Sequence, residues 1–289
     1  MADMNLLSKG LTTCEGCPME LIGRAAIETL GSKTITMTPP GCGAILTGGG
    51  DETGWGVPSI QTMLMSLPAY ASGVSEALKI RGKNDVTVMG FAGDGGTFDI
   101  GFQALSGAIE RGHKAIFICY NNEAYMNTGN QRSSATPKGA YTKTTPTGKK
   151  EQVKDIDMML LHTPLAYQAT ASVSNIIDFK RKLAKAAQKD GPSFIHVLAP
   201  CQAGWKFPPR KMITIGRLAV DSGIWLLFER EDGKIKINFH PKDYALIKNY
   251  IFAQGRFRLV TDQDIEKMIE RAKERYQLIE QLSMVKLSN

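Results

Sequence analysis

Two uninterrupted apolar runs on either side of a glycine-rich turn constrain this chain more than any other feature. Val86-Thr87-Val88-Met89-Gly90-Phe91-Ala92 leads into Gly93-Asp94-Gly95-Gly96, and Ala115-Ile116-Phe117-Ile118-Cys119-Tyr120 leads into Asn121-Asn122. Between them Phe98, Phe102, Leu105 and Ile109 recur at helical spacing, and Gly112 ends the segment. Runs that are apolar at every position, not every second one, belong to strands covered on both faces and so to a parallel sheet. Such a β-α-β unit carries Asp94 and Asn122 to the carboxyl ends of neighbouring strands, the edge where open α/β sheets bind ligands.

The residues at that edge suit a metal-bridged diphosphate. Asp94 offers a carboxylate oxygen and Asn122 a carbonyl oxygen, the hard donors that Mg²⁺ takes, with phosphate and water completing an octahedron. Gly93, Gly95 and Gly96 let backbone N–H groups approach a phosphate, and the helix that follows presents its positive end. A glycine-aspartate-glycine turn alone is equally a tight turn after a strand. Closed by Asn121-Asn122 at the end of the next strand, it resembles the thiamine diphosphate (TPP) signature of TPP-dependent enzymes.

A chain of 289 residues can bury a large core. Its 43% hydrophobic and 22% charged residues are ordinary for a soluble globular protein. No stretch reaches membrane-spanning length, and the first nine residues lack the layout of a signal peptide. The expectation is a cytoplasmic protein with no membrane contact. The net charge of +7 carries no basic run interleaved with aromatics, which argues against nucleic acid and leaves a solvated surface or an acidic protein partner. Five cysteines in such a chain point to thiol or metal chemistry rather than disulfides.

Cys14 and Cys17 form a C-x2-C pair followed by Pro18, and Leu21, Ile22, Ala25, Ala26 and Leu30 then share one helical face until Gly31. The pair therefore sits on the loop entering a helix, with Pro18 near its first position. Thr34–Thr38 reads as a strand, Gly41-Cys42-Gly43 as a turn beyond it, and Gly48-Gly49-Gly50 as a flexible loop able to close over a ligand. A helix is expected over Leu67–Arg81. The polar stretch from Glu123 to Lys150 has little periodicity, and a loop of that length bordering a strand end is commonly functional. Further strands are expected at Tyr167–Ala171 and Phe194–Ala199, with a helix over Ile176–Gln188 between them. Phe207–Lys211 reads as an extended linker. Ile224–Glu229 and Lys234–Asn238 read as a hairpin with a loop longer than two residues, and Asp262 to about Leu282 as a charged amphipathic helix. The fold class is α/β: a doubly wound, mainly parallel sheet of the TPP-binding type over residues 1–205. Residues 206–289 form a C-terminal extension of hairpin and helix for subunit contacts.

Cys201 lies beyond a strand end, as Cys42 does, so Cys14, Cys17, Cys42 and Cys201 fall near one sheet edge. Spacing alone leaves three readings: a 4Fe–4S cluster, a Cys₄ zinc site, or no metal. Cys119, inside an apolar strand, reads as a plain buried thiol. His113, His162, His196 and His240 form no catalytic constellation in the sequence.

The whole pattern resembles a known family. Cys14-x2-Cys17, Gly41-Cys42, the Asp94 turn, Tyr125-x-Asn127-Thr128-Gly129 with Ala135-Thr136-Pro137, and Pro200-Cys201-Gln202-Ala203-Gly204-Trp205 together look like the beta, TPP-binding subunits of the 2-oxoacid:ferredoxin oxidoreductases. Gly216–Trp225 is similar to that family's C-terminal region, and the similarity runs over most of the chain. The resemblance implies that Asp94, Asn122 and the Ala124 carbonyl hold Mg²⁺ on the diphosphate, that Thr128 lies in the cofactor site, and that Asn127 faces the reacting carbon. It implies that Cys14, Cys17, Cys42 and Cys201 ligate one 4Fe–4S cluster. It further implies oxidative decarboxylation of a 2-oxoacid, pyruvate by default, with coenzyme A as acyl acceptor and electrons leaving singly for ferredoxin. Alpha, gamma and ferredoxin-like delta subunits are the implied partners, one of them supplying the glutamate beside the aminopyrimidine. Branched-chain 2-oxoacids, 2-oxoglutarate and oxalate stay open as substrates. A non-redox TPP enzyme and a zinc-binding scaffold are the competing readings. Pro18-Met19-Glu20 departs from the family pattern after the second cysteine and leaves Glu20 without an assigned role.

Overall fold

The computed structural model describes residues 6–49 and 52–287. The N-terminal residues 1–5 and Gly50 of the glycine loop lie outside the described residues. The chain enters through α1 (Pro18–Leu30) and β1 (Thr34–Thr38), then α2 (Ala44–Thr47), β2 (Ser59–Gln61) and α3 (Leu67–Ile80). The unit that dominates the sequence follows as β3 (Thr87–Gly93), a π-helical turn Gly95–Asp99, α4 (Phe102–Glu110) and β4 (Ile116–Asn121). After the long polar loop come α5 (Ile156–Leu160), β5 (Tyr167–Ser172), α6 (Ile176–Ala187), β6 (Ser193–Leu198) and α7 (Gln202–Trp205). The chain ends with α8 (Met212–Asp221), β7 (Leu227–Glu231), β8 (Lys234–Phe239), α9 (Leu246–Phe252) and α10 (Asp262–Ser283).

All eight strands form one sheet, in the order β2-β1-β3-β4-β6-β5-β7-β8. The first six are parallel, and β7 and β8 add an antiparallel edge beside β5. Because successive side chains alternate, each buried strand feeds two cores. Met89, Phe91, Ile118 and Tyr120 face α1 and α6, whereas Val88, Ala92, Phe117 and Cys119 face α3 and α4. That two-sided burial is the physical source of the continuous apolar runs. Among the described residues no helix is long and apolar enough to cross a membrane.

Three local expectations need correction. Phe207–Lys211 is not an extended linker throughout. Pro209 opens a 3₁₀ turn, Pro209–Lys211, that feeds α8, a helix the sequence reading did not assign. A proline fits the first position of a helical turn because its missing N–H would have no partner there. The hairpin strand starts at Leu227 rather than Ile224, and its loop is two residues, not more. Asp232 (φ 51°) and Gly233 (φ 75°) both take positive φ, which matches the twist of the flanking strands. The helix after Asp94 begins as a π turn, a form common at functional sites.

The antiparallel edge is fastened by one carboxylate. Glu229 on β7 accepts from Tyr167 Oη (2.7 Å), Lys185 Nζ (2.8 Å), Asn238 Nδ2 (2.9 Å) and Arg181 Nη1 (3.1 Å). Burial raises the pKa of Glu229, but these four donors outweigh it and bring the group down to about 2.

Candidate functional site

Four neighbouring strands deliver the chemistry. β1, β3, β4 and β6 lie side by side and parallel, and beyond their carboxyl ends stand Cys42, Asp94, Asn122 and Cys201 in turn. Asp94 is fully buried. Ser133 donates its hydroxyl to Asp94 Oδ2. The terminal atom of the Asn122 amide that faces Asp94 lies 3.1 Å from Asp94 Oδ1 and 2.7 Å from the Ala124 carbonyl oxygen. As nitrogen, that atom donates to both. As oxygen, it would meet two other oxygens, an arrangement that only a cation between them makes favourable. Burial raises the Asp94 carboxyl to about 7; Ser133 lowers it, and the charges of Glu123 and Asp99 add to the rise. A buried acidic group with a carboxylate, an amide and a backbone carbonyl around it therefore fits a hard divalent cation.

The turn that presents Asn122 and Ala124 is held from several directions. Glu123 takes a positive φ of 62°. Its N–H donates to Asn121 Oδ1 at 2.9 Å, and its carbonyl accepts from Thr136 Oγ1 at 2.6 Å. Since Asn121 Oδ1 is an acceptor, Nδ2 is left to donate to His196 Nε2 at 2.9 Å, and His196 Nδ1 then donates to Asp157 at 3.0 Å. Arg275 reaches the same carboxylate at 3.2 Å. Trp205 Nε1 donates to the Asn122 carbonyl at 2.8 Å. Below that indole lies the buried Arg256, its guanidinium 3.7 Å from the ring centroid and 2.6 Å from Glu123 Oε2.

Tyr125 closes the other flank. Its hydroxyl lies 3.1 Å from both the Gly95 carbonyl and Asp99 Oδ2, and its ring rests on Gly95. A Cβ at Gly95 would lie 2.3 Å from that ring, so the close approach requires glycine. Past Tyr125 the chain turns back, and Asn127 and Thr128 are exposed at the tip. Thr128 Oγ1 donates to Gln131 Oε1 at 2.6 Å.

Cys17 holds the N-cap position of α1 and Cys201 that of α7, where the Cys201 sulfur meets a free amide of the helix start. Gly204 N–H donates to Cys201 Sγ at 3.5 Å. Burial raises the Cys17 thiol to about 11, against the amides of Glu20 and Met19, and the charges of Cys201 and Cys14 add to the rise. Burial likewise lifts Cys42 to about 12, with Cys201, Cys17 and Cys14 adding in that order. The Cys201 thiol also rises with burial, and Cys14 contributes. Cys42 and Cys201 follow the carboxyl ends of β1 and β6, and Cys14 and Cys17 precede α1, with Cys14 exposed. Among the described residues no three His, Cys, Asp or Glu side chains are grouped so as to hold a single metal ion. Glu20 anchors this loop: it accepts from Thr13 Oγ1 and pairs with Arg24, which also holds the carbonyls of Leu7 and Ser8.

Residues 54–197 match the family described as thiamine pyrophosphate enzyme, C-terminal TPP binding domain. The pyruvate synthase subunit PorB of Methanothermobacter thermautotrophicus is 44% identical over 269 residues, covering 91% of this chain and 93% of its own. The chain belongs to the beta subunits of the 2-oxoacid:ferredoxin oxidoreductases. A ketoisovalerate oxidoreductase subunit VorB from Pyrococcus horikoshii is 43% identical, covering 96% of this chain and 93% of its own. A 2-oxoglutarate:ferredoxin oxidoreductase from Magnetococcus marinus shares the fold, with TM-score 0.62 and 21% identity over 70% of this chain and 69% of that one.

In this oxidoreductase subunit the structure gathers Gly93, Asp94, Gly95, Gly96, Asn122 and Ala124 at one edge, and sets Asn127 and Thr128 on the exposed turn beside them. The supporting side chains carried no local signal. Ser133 reaches Asp94 across 39 positions and Trp205 reaches Asn122 across 83.

Proposed function

We propose that this beta subunit carries the TPP and one 4Fe–4S cluster of a pyruvate:ferredoxin oxidoreductase. Pyruvate would lose carbon dioxide, its acetyl group would pass to coenzyme A, and two electrons would leave one at a time through the cluster to ferredoxin. The observation that carries the reading is the row Cys42, Asp94, Asn122, Cys201 on four adjacent strand ends. Bound TPP supplies an electron sink for decarboxylation. Asp94, Asn122 and the Ala124 carbonyl would hold Mg²⁺ on its diphosphate, with Ser133 keeping the Asp94 carboxylate oriented. Asn127 and Thr128, on the open turn, would face the cofactor and substrate once a partner subunit closes over them. Cys14, Cys17, Cys42 and Cys201 would ligate the cluster.

The loop beside Gly96 carries exposed apolar side chains. Leu64 rests against Gly96, while Met63 and Met65 on the same loop are 59% and 45% exposed. Apolar side chains standing free beside a half-built site favour an alpha subunit that brings the activating glutamate. The extension over residues 206–289 would serve further subunit contacts, including a ferredoxin-like delta chain and a gamma chain. Pyruvate is preferred for the PorB relatives, and the VorB relative makes a branched-chain 2-oxoacid the second reading. The test is anaerobic assay of the complex co-expressed with its partner subunits, following viologen reduction with pyruvate, ketoisovalerate, 2-oxoglutarate and oxalate. Iron, sulfide and thiamine are measured on the same sample. Coenzyme A-dependent turnover fastest on pyruvate is expected, with little turnover by the lone chain. A complex that holds zinc and no iron, or that turns over without reducing the viologen, refutes the redox reading.

A further inference from the structure

A cleft of about 810 Å³ opens between α10 and the long loop that follows β4. That is the size of a small-molecule pocket, roughly 300–1,000 Å³. Its inner wall is largely apolar, with Phe98, Ile156, Leu226, Ile251 and Phe257 buried there. At its mouth Val153, Leu259 and Leu278 stand 42%, 53% and 43% exposed. Among the described residues neither Asp94, Asn122 nor any of the cysteines lines it. It meets the strand-edge site at Asn121 and Glu123 and is otherwise a separate feature.

The polar groups deep in the cleft are already bonded. Thr170 Oγ1 donates to the Leu226 carbonyl at 2.6 Å and accepts from Phe228 N–H at 2.9 Å. Trp225 Nε1 donates to the Ala171 carbonyl at 2.8 Å. Asn121 and Asp157 occupy the two nitrogens of His196. Lys149 spends its ammonium on the carbonyls of Ser134, Thr136 and Gln152. Asp155 and Asp157 pair with Arg275, and Glu123 with Arg256. Such an interior offers an occupant apolar contact and would penalise a buried charge. The mouth differs. Lys138, Lys150 and Lys267 are exposed and make no ion pair or hydrogen bond among the described residues, and Arg271 bonds the neutral amide of Gln152. Of the acids beside them, Asp264 is bound to Thr261 at the start of α10, which leaves Glu274 against these cations. The surplus positive charge at the rim favours an anion.

We infer that this cleft binds a small amphipathic anion of the fatty-acid kind, its apolar body inside and its carboxylate at the mouth among Lys138, Lys150, Lys267 and Arg271. The inference rests on neither the cofactor reading nor the cluster reading. The division of the cleft carries it: hydrogen bonds are complete within, and cations without carboxylate partners stand at the rim. The carboxylate stays hydrated there, so the head group keeps its charge while the body loses its contact with water.

The test titrates the complex assembled with its partner subunits, and the full chain alone, with octanoate, 1-octanol and acetate. Binding is read by ligand-observed NMR and by tryptophan emission. Octanoate should bind saturably to both preparations, with octanol and acetate weaker, since each lacks one half of the chemistry. Trp225 lines the cleft, so Trp225→Phe should remove the emission change while binding persists by NMR. Lys267→Glu combined with Arg271→Glu, both exposed on α10, should weaken octanoate about tenfold and leave octanol unaffected. Octanol binding as tightly as octanoate, an emission change that survives Trp225→Phe, or octanoate binding indifferent to the charge reversal overturns the inference. So does binding to the lone chain that vanishes in the complex, because a partner subunit then fills the cleft.

Discussion

Replacing Arg256 by methionine asks how strongly the C-terminal region holds the metal-binding turn. The guanidinium is buried against Trp205, whose indole is bonded to the Asn122 carbonyl, and it makes a 2.6 Å ion pair with Glu123, the residue between Asn122 and Ala124. Methionine fills much of the same volume but abandons a buried carboxylate. Breaking one side of a buried pair costs about 3–5 kcal/mol, a large share of the roughly 5–15 kcal/mol that holds a domain folded. Burial already raises the Glu123 pKa with Arg256 in place, and losing the guanidinium raises it further, so proton uptake by the carboxyl limits the loss. The double variant Arg256→Met with Glu123→Gln removes the stranded charge and should recover most of the stability. The assay is anaerobic urea unfolding of wild type, both single variants and the double variant, alongside titration with TPP at fixed Mg²⁺. TPP affinity should follow stability, weakest in Arg256→Met. A loss below about 1 kcal/mol in the single variant, or a double variant no more stable than it, refutes the reasoning.

Other expectations follow from the same geometry. Asp94→Asn should abolish the Mg²⁺-dependent thermal stabilisation by TPP while leaving bound iron intact. Cys42→Ser should do the reverse, with lowered iron by colorimetric assay and a retained thermal response to TPP and Mg²⁺. Glu229 has a folded pKa of about 2, below its unfolded value of 4.5. Its stabilising effect is therefore full above about pH 4.5 and is lost as pH falls towards 2. Glu229→Gln should be less stable than wild type at pH 7, with the gap closing on acid titration followed by circular dichroism.

The parts of this fold that repeat along the chain were legible in its sequence. β3 and β4 announce themselves because strands buried on both faces must be apolar throughout, and the edge position of Asp94 and Asn122 follows from their being parallel. Cys17-Pro18 marks the start of α1 because proline tolerates the first helical position. What lay hidden depends on pairs far apart in sequence: Tyr120 with Gly43, Ser133 with Asp94, Arg256 with Glu123. None of these leaves a periodic trace, since each contact exists only after the sheet order is set. α8 was obscured by Pro208-Pro209, where the dipeptide signals an extended chain and only its second member begins a helical turn. His196 reads in sequence as an ordinary strand residue, and its place between Asn121 and Asp157 emerges only when β4 and β6 pair directly.

The most direct measurement is anomalous diffraction at the iron edge from anaerobic crystals of the assembled complex grown with TPP and Mg²⁺. Iron peaks should fall among the sulfurs of Cys14, Cys17, Cys42 and Cys201, with diphosphate density and a cation against Asp94, Asn122 and the Ala124 carbonyl. Iron located elsewhere, or a single zinc peak between those sulfurs, would contradict a cluster and a thiamine cofactor sharing this strand edge.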